Sequence, residues 1–243
     1  MIKWLAPFAA RPIALVGLAL LVIVLFAAIF APWIAPFNPE DMDSMIRLSP
    51  PNGVHWFGTD QFGRDTLTRV IYASRMALLV GVGVVLFAML TGVPIGVFSA
   101  LFPRVGHVLM RLVDVLMAFP SLLLALGLIV VLGPSVANSI IAVGVGFLTT
   151  TTRIVYGLTL RLKSETYVEA ARSMGSRTAW LVTKHIIPNL VSPLLVQASF
   201  VFAFAQLAAA SLDFLGLGAP PTIPSWGNML AESRQFITRA PWL

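Results

Sequence analysis

No cysteine occurs in the 243 residues, which excludes disulfides and thiolate-bound metals. Charge is scarce too: 11% of the residues are Asp, Glu, Lys or Arg, against about 25% in an ordinary soluble domain. The three histidines, His55, His107 and His185, are too dispersed to form a metal site. The chain has no G-x-x-x-x-G-K-[ST] stretch, no G-x-S-x-G and no H-E-x-x-H, so it carries no signature of an ATPase, a serine hydrolase or a zinc protease. Its long apolar runs hold almost no His, Asp or Glu, and a membrane-embedded enzyme would need such groups to converge.

What the chain does have is hydrophobic length. Apolar residues make up 58% of it, the mean hydropathy is +0.91, and several runs approach the roughly 20 residues that cross a bilayer. The expected fold class is all-α, a polytopic membrane protein, because lipid leaves no partner for backbone groups outside helices. Five spans are expected, at about 13–34, 76–101, 112–132 (with Pro120 as a kink), 136–156 and 190–214. The corresponding organisation is an N-terminal stretch 1–12, a first span 13–35, a polar loop 36–75, and a membrane domain 76–243 interrupted by a polar segment 161–189. The run after Arg11 is too long for a signal-peptide core and reads as a retained span. The Pro- and Gly-rich tail 216–243 does not read as a span.

A net charge of +6 need not mean nucleic acid, since membrane proteins gather cations on their cytoplasmic loops. With the N-terminus inside, Lys3, Arg11, Arg104, Arg111, Arg153, Arg161, Lys163, Arg172, Arg177 and Lys184 face the cytoplasm. Arg47, Arg64, Arg69, Arg75, Arg234 and Arg239 then face the other side. Ten against six favours that orientation, and Glu40, Asp41, Asp43, Asp60 and Asp65 all fall outside.

The segment 167–189 is then a cytoplasmic island between two spans. Ser164 is expected to cap a short helix whose apolar face is Tyr167, Ala170, Ala171 and Met174. Gly175 suits the left-handed position that closes a helix. A second helix, 178–187, is expected to end at Pro188. On physical grounds such a pair either rests on lipid headgroups or receives a partner protein.

Glu169-Ala170-Ala171, three residues and then Gly175 resemble the EAA signature of binding-protein-dependent ABC importer permeases. After nine further residues the signature continues at His185, Ile186, Ile187 and Pro188, where the histidine resembles the form found in the peptide and nickel importer branch. Three more segments resemble that branch: 55–65, including Gly58, Thr59, Asp60, Gly63, Arg64 and Asp65; 110–114; and 214–218 through 224–227. The resemblance implies the type I ABC importer permease fold, with six spans where five are visible here, so the last span is expected to be missing. It implies that 161–189 couples to the ATPase, with Glu169, Ala170, Ala171, Gly175, His185 and Pro188 as its signature residues. It also implies a second permease subunit, two cytoplasmic ATP-binding subunits and an extracytoplasmic solute-binding protein, but no cofactor, metal or nucleic acid. The solute would be a di- or oligopeptide, or a nickel complex or other small solute. A stand-alone channel or secondary carrier is the alternative of another class, and it leaves the docking loop unexplained.

Other charged residues have plainer readings. In 58–65 the acids and Arg64 read as a capped turn fixed by an Arg–Asp pair, because a hard cation wants more converging oxygens than two carboxylates supply. Asp114 is expected to pair with Arg111 at i, i+3, and Arg153 to anchor the inner end of its span. Asp213 stands where the family often has Ser, and Ala209, one turn earlier, where it often has Glu, so the acid is displaced along one helix face.

Overall fold

The computed structural model describes residues 12–243. The expected stretch 1–12 therefore lies, apart from Pro12, outside the described residues, as do Lys3 and Arg11. The described residues form nine α-helices: α1 (Pro12–Ile34), α2 (Thr66–Leu101), α3 (Pro103–Met117), α4 (Ser121–Leu132), α5 (Val136–Lys163), α6 (Thr166–Ser173), α7 (Thr178–Leu181), α8 (Ile187–Phe214) and α9 (Trp226–Ser233). Among them there is no strand, only an isolated bridge between Thr59 and Asp65. Helices α1, α2, α5 and the continuous run Thr178–Phe214 are each long and apolar enough to cross a membrane. A fifth crossing exists if α3 and α4 count as one broken span.

The helices outlast the apolar runs that announced them. Helix α2 starts at Thr66, ten residues before its expected span, and α5 runs on to Lys163. Hydropathy marks the part of a helix that lies in hydrocarbon, whereas caps and packing decide where the backbone stops. At 36 residues, α2 is about 54 Å long and exceeds the roughly 30 Å hydrocarbon core. The largest departure is at Pro120, where the expected kink is a 94° break between α3 and α4. Proline denies its predecessor the helical region and cannot donate to the preceding turn, so a new helix begins after it.

Two compact units result. One joins the described residues through Leu79 with Pro220–Leu243; the other is Val80–Ala219. The tail thus belongs with the polar loop, the first span and the start of α2 rather than with the membrane helices of the second unit. In the second unit, Ala88, Gly92, Gly96 and Ala100 form a buried small-residue stripe along α2. A methyl group on Gly96 would stand 2.7 Å from the Thr152 carbonyl oxygen and 2.8 Å from Val155 Cβ, so glycine lets α2 and α5 approach closely. Helix α5 also packs against α3, α4 and α8. Val97, Val155, Ile186 and Leu190 form a shared core at one end of these helices.

Candidate functional site

The polar segment between α5 and α8 is built from a turn, a short helix and a widened helix. Ser164 does not cap α6: its hydroxyl donates to the Arg161 carbonyl at 2.8 Å and finishes α5. The residue before α6 is Glu165, which makes no side-chain cap. Helix α6 ends in a Schellman turn, with Ser176 N–H donating to Ala171 O at 3.1 Å and Gly175 N–H to Arg172 O at 2.9 Å. Gly175 sits at φ +83°, with nothing within 4 Å of the position a Cβ would take. Its role there is conformational rather than steric.

The buried face of α6 differs from the expected one. Val168 and Ala171 pack on Leu181, while Tyr167, Ala170 and Met174 face outward, Met174 with 81% of its surface exposed. Glu169 and Arg172 are exposed as well. Nor does Pro188 end a helix. Residues Val182–Ile186 form a π turn, and Pro188 occupies the first turn of α8, where a missing N–H is tolerated. Asn189 Nδ2 donates to the His185 carbonyl at 2.6 Å, satisfying an acceptor there. The His185 ring lies 4.9 Å from Trp180 and 5.5 Å from Tyr167, and its Nε2 is buried without a hydrogen-bond partner. Ile186 and Leu190 are buried in the core shared with Val97 and Val155, so the exposed face of α6 is carried on the ends of α5 and α8.

The second candidate region is the turn 58–65 with the start of α2 and the tail. Gly58 and Gly63 both take positive φ, at +71° and +77°. Thr59 receives Ser49 N–H on its hydroxyl at 3.0 Å and bonds the Ile46 carbonyl. Asp60 Oδ1 accepts the backbone N–H groups of Phe62 and Arg64, at 2.8 and 3.0 Å. Its Oδ2 accepts Arg64 Nε at 2.6 Å. Asp65 caps α2 by accepting Thr68 N–H at 2.8 Å and lies 2.9 Å from His55 Nδ1. Asp60 is thus committed to backbone and a guanidinium and Asp65 to backbone and an imidazole, the arrangement of a fixed turn.

Two members of this corner were not singled out from sequence. Glu232 on α9 accepts Arg64 Nη2 at 2.7 Å and lies 3.6 Å from Arg69 Nη2. Arg69 is 1% exposed, 3.7 Å from Asp60 Oδ2, and none of its guanidinium nitrogens has a hydrogen-bond partner. Burial raises the Glu232 carboxyl above its ordinary range, against the pull of Arg64 and Arg69. Glu232 is the lone acid of the tail 216–243, the signal that could have found it.

Two further pairings differ from expectation. Asp114 meets Arg153, at 2.6 Å from Nη2, and so links α3 to α5 rather than pairing along its own helix. Asp213 is buried, and its Oδ1 accepts Ala219 N–H at 2.7 Å, holding the turn that follows α8. Its carboxylate occupies the space a side chain on Gly218 would need.

The described residues thus form an all-α polytopic membrane protein with a Schellman-closed helix exposed between two spans. Residues 92–241 match the family "Binding-protein-dependent transport system inner membrane component", and residues 4–51 match "N-terminal TM domain of oligopeptide transport permease C". The chain belongs to this family of inner-membrane permease components. It is 39% identical over 231 residues to the dipeptide transport system permease protein DppC of Alkalihalophilus pseudofirmus, covering 95% of this chain and 76% of that protein. It is 38% identical over 243 residues to the di/tripeptide transport system permease protein DppC of Pseudomonas aeruginosa (97% and 80% covered). The glutathione transport system permease protein GsiD of Pectobacterium atrosepticum is 38% identical over 229 residues (93% and 76%). The fold is similar to a chain of the MetNI methionine ABC transporter in an inward facing conformation. The TM-score is 0.61 at 17% identity, over 72% of this chain and 84% of that one.

Proposed function

We propose that this chain is one of two permease subunits of an ATP-driven importer for di- or oligopeptides, and that 161–189 is its cytoplasmic coupling segment. The observation that carries the reading is the outward face of α6. Tyr167, Glu169, Ala170, Arg172 and Met174 are exposed on a helix whose opposite side is pinned by Val168, Ala171 and Leu181. A small residue at Ala170 permits close approach of a partner, and the exposed charges of Glu169 and Arg172 supply polar contacts at its rim. ATP-binding subunits would grip this face, and their closure would be delivered to α5 and α8 together, because Ile186 and Leu190 join the segment to the core of those helices. Such a motion switches access only if the partner contacts differ between the two states. A second permease would complete the path, and an extracytoplasmic binding protein would deliver the solute. The peptide assignment is supported by the relatives' names, while nickel complexes remain the alternative within the branch. The surplus of Lys and Arg supports a cytoplasmic N-terminus.

Deletion of 169–175 in the reconstituted importer tests the coupling role. The expected result is normal membrane insertion with loss of transport-linked ATP hydrolysis and of co-purifying ATP-binding subunit. Unimpaired solute import by the deletion variant would overturn it.

A further inference from the structure

Helix α3 divides along its length into three faces. At about 100° per residue, Arg104, His107, Arg111 and Asp114 share one face, and Val105, Val108, Leu112 and Val115 share the next. The third is protein-facing: Gly106 abuts the Ser99 backbone of α2, and Val113 is buried. The valine–leucine stripe is open along its whole length, at 48%, 61%, 58% and 59% exposure. Arg104, His107 and Arg111 are exposed beside it, whereas Asp114 already holds Arg153 at 2.6 Å. Arg104 and Arg111 therefore make the row bordering the stripe cationic, while His107 Nδ1 lies 2.7 Å from the Pro103 carbonyl oxygen.

The 94° break after α3 sets it nearly at right angles to the apolar α4, so the two helices do not lie along one bilayer normal. An amphipathic helix with a basic edge, standing at right angles to an apolar one, has the composition of an interfacial element rather than of a crossing. We infer that α3 lies in the headgroup layer of the bilayer, with Val105, Val108, Leu112 and Val115 among the upper acyl chains and Arg104 and Arg111 on the phosphates of anionic lipid. Lipid, rather than another protein, is the occupant. The stripe is aliphatic, without the Trp and Tyr anchors that dominate protein interfaces, and the cationic row matches a phosphate surface.

The absence of cysteine makes the test direct. Single cysteines at Val105, Val108, Leu112 and Val115 carry nitroxide labels in the importer reconstituted with its partner subunits in vesicles. Access to oxygen and to a water-soluble nickel chelate then reports depth. The expected result is one shallow depth for all four sites. A steady gradient of about 1.5 Å per residue, some 15 Å from Val105 to Val115, would mean that α3 crosses the bilayer and would overturn the inference. Shielding of all four labels from both reagents would show a protein occupant and overturn it equally. In vesicles containing phosphatidylglycerol, the labels at 108 and 112 are expected to sit deeper than in phosphatidylcholine alone. The double substitution Arg104→Gln and Arg111→Gln should abolish that difference. Equal depth of the unsubstituted helix in both lipids would overturn the phosphate assignment.

Discussion

The corner around Arg64 and the segment around α6 are the two places where this apolar chain concentrates polar residues, and they use them in opposite ways. At the corner, Asp60, Arg64, Arg69 and Glu232 are largely buried and consumed by one another. At α6, Glu169 and Arg172 are exposed, and the helix is held by small apolar contacts and one glycine turn. Charges withdrawn from water must find partners inside the protein, so the corner is built to stay as it is. Charges left in water carry no such obligation and remain available to a second molecule.

The strongest way to break this contrast is Arg64→Ala. It strips Asp60 and Glu232 of their closest cation while leaving both acids buried, and removal of one partner from a buried pair costs about 3–5 kcal/mol. Thermal unfolding of the purified importer should show a large loss, and hydrogen exchange should show early release of α9. A loss no larger than that of a surface substitution would mean that the corner is more hydrated than its geometry indicates.

Gly175→Val is the next in size and probes the other region. A β-branched residue at φ +83° is strained by about 1–2 kcal/mol although no neighbour obstructs it. Gly157→Ala supplies the contrast. That glycine also has nothing within 4 Å of its Cβ position, but it lies inside α5 without a positive φ. Alanine there should stabilise by about 0.5–1 kcal/mol. The expected readout is loss of transport-linked ATP hydrolysis for Gly175→Val at near-normal abundance, with activity retained in Gly157→Ala. Equal behaviour of the two variants would detach function from the shape of the turn.

The two regions were not equally legible in the sequence. The glycine turn at Gly175 and the capped turn at 58–65 were readable because local chemistry decides them: a left-handed residue, and carboxylates within reach of nearby backbone N–H groups. The spans were readable because hydropathy is summed over many residues. The right-angle break at Pro120 was visible only as a kink, since proline announces an interruption but not its angle. Arg153 on Asp114 and Glu232 on Arg64 join residues 39 and 168 positions apart, and no local pattern encodes such pairs. The inward turn of Val168 in place of Tyr167 was set by Leu181, whose position depends on the π turn at Val182–Ile186.

Glu232→Gln sharpens the comparison by separating burial from charge. Burial holds this carboxyl above the ordinary value of 4.5. A raised carboxyl favours the folded state fully below its unfolded value, and that contribution is lost as pH rises through the folded one. For this group alone, stability should therefore fall as pH rises from about 4.5 upward, and Glu232→Gln should flatten that slope in thermal midpoints taken across the range. Its effect at neutral pH should be smaller than that of Arg64→Ala. An unchanged pH slope would mean that Glu232 titrates alike in the folded and unfolded chains.

Asp114→Asn should have the smallest effect, because its pair stands between the two extremes. Asp114 and Arg153 meet at 2.6 Å, as close as Arg64 and Asp60, yet their side chains are 39% and 52% exposed where those of the corner pair are 10% and 3%. Distance alone would rank the two pairs together. Solvent ranks them apart, since water screens the exposed pair and hydrates either partner once the other is gone. The substitution should cost about 0–1 kcal/mol, and the cost should shrink as salt is added, within a Debye length of about 8 Å at physiological ionic strength. Thermal midpoints of Asp114→Asn and Arg64→Ala, each measured at low and high salt, compare the pairs directly. A salt-independent loss at Asp114 as large as that at Arg64 would show that the α3–α5 pair is buried in the assembled transporter.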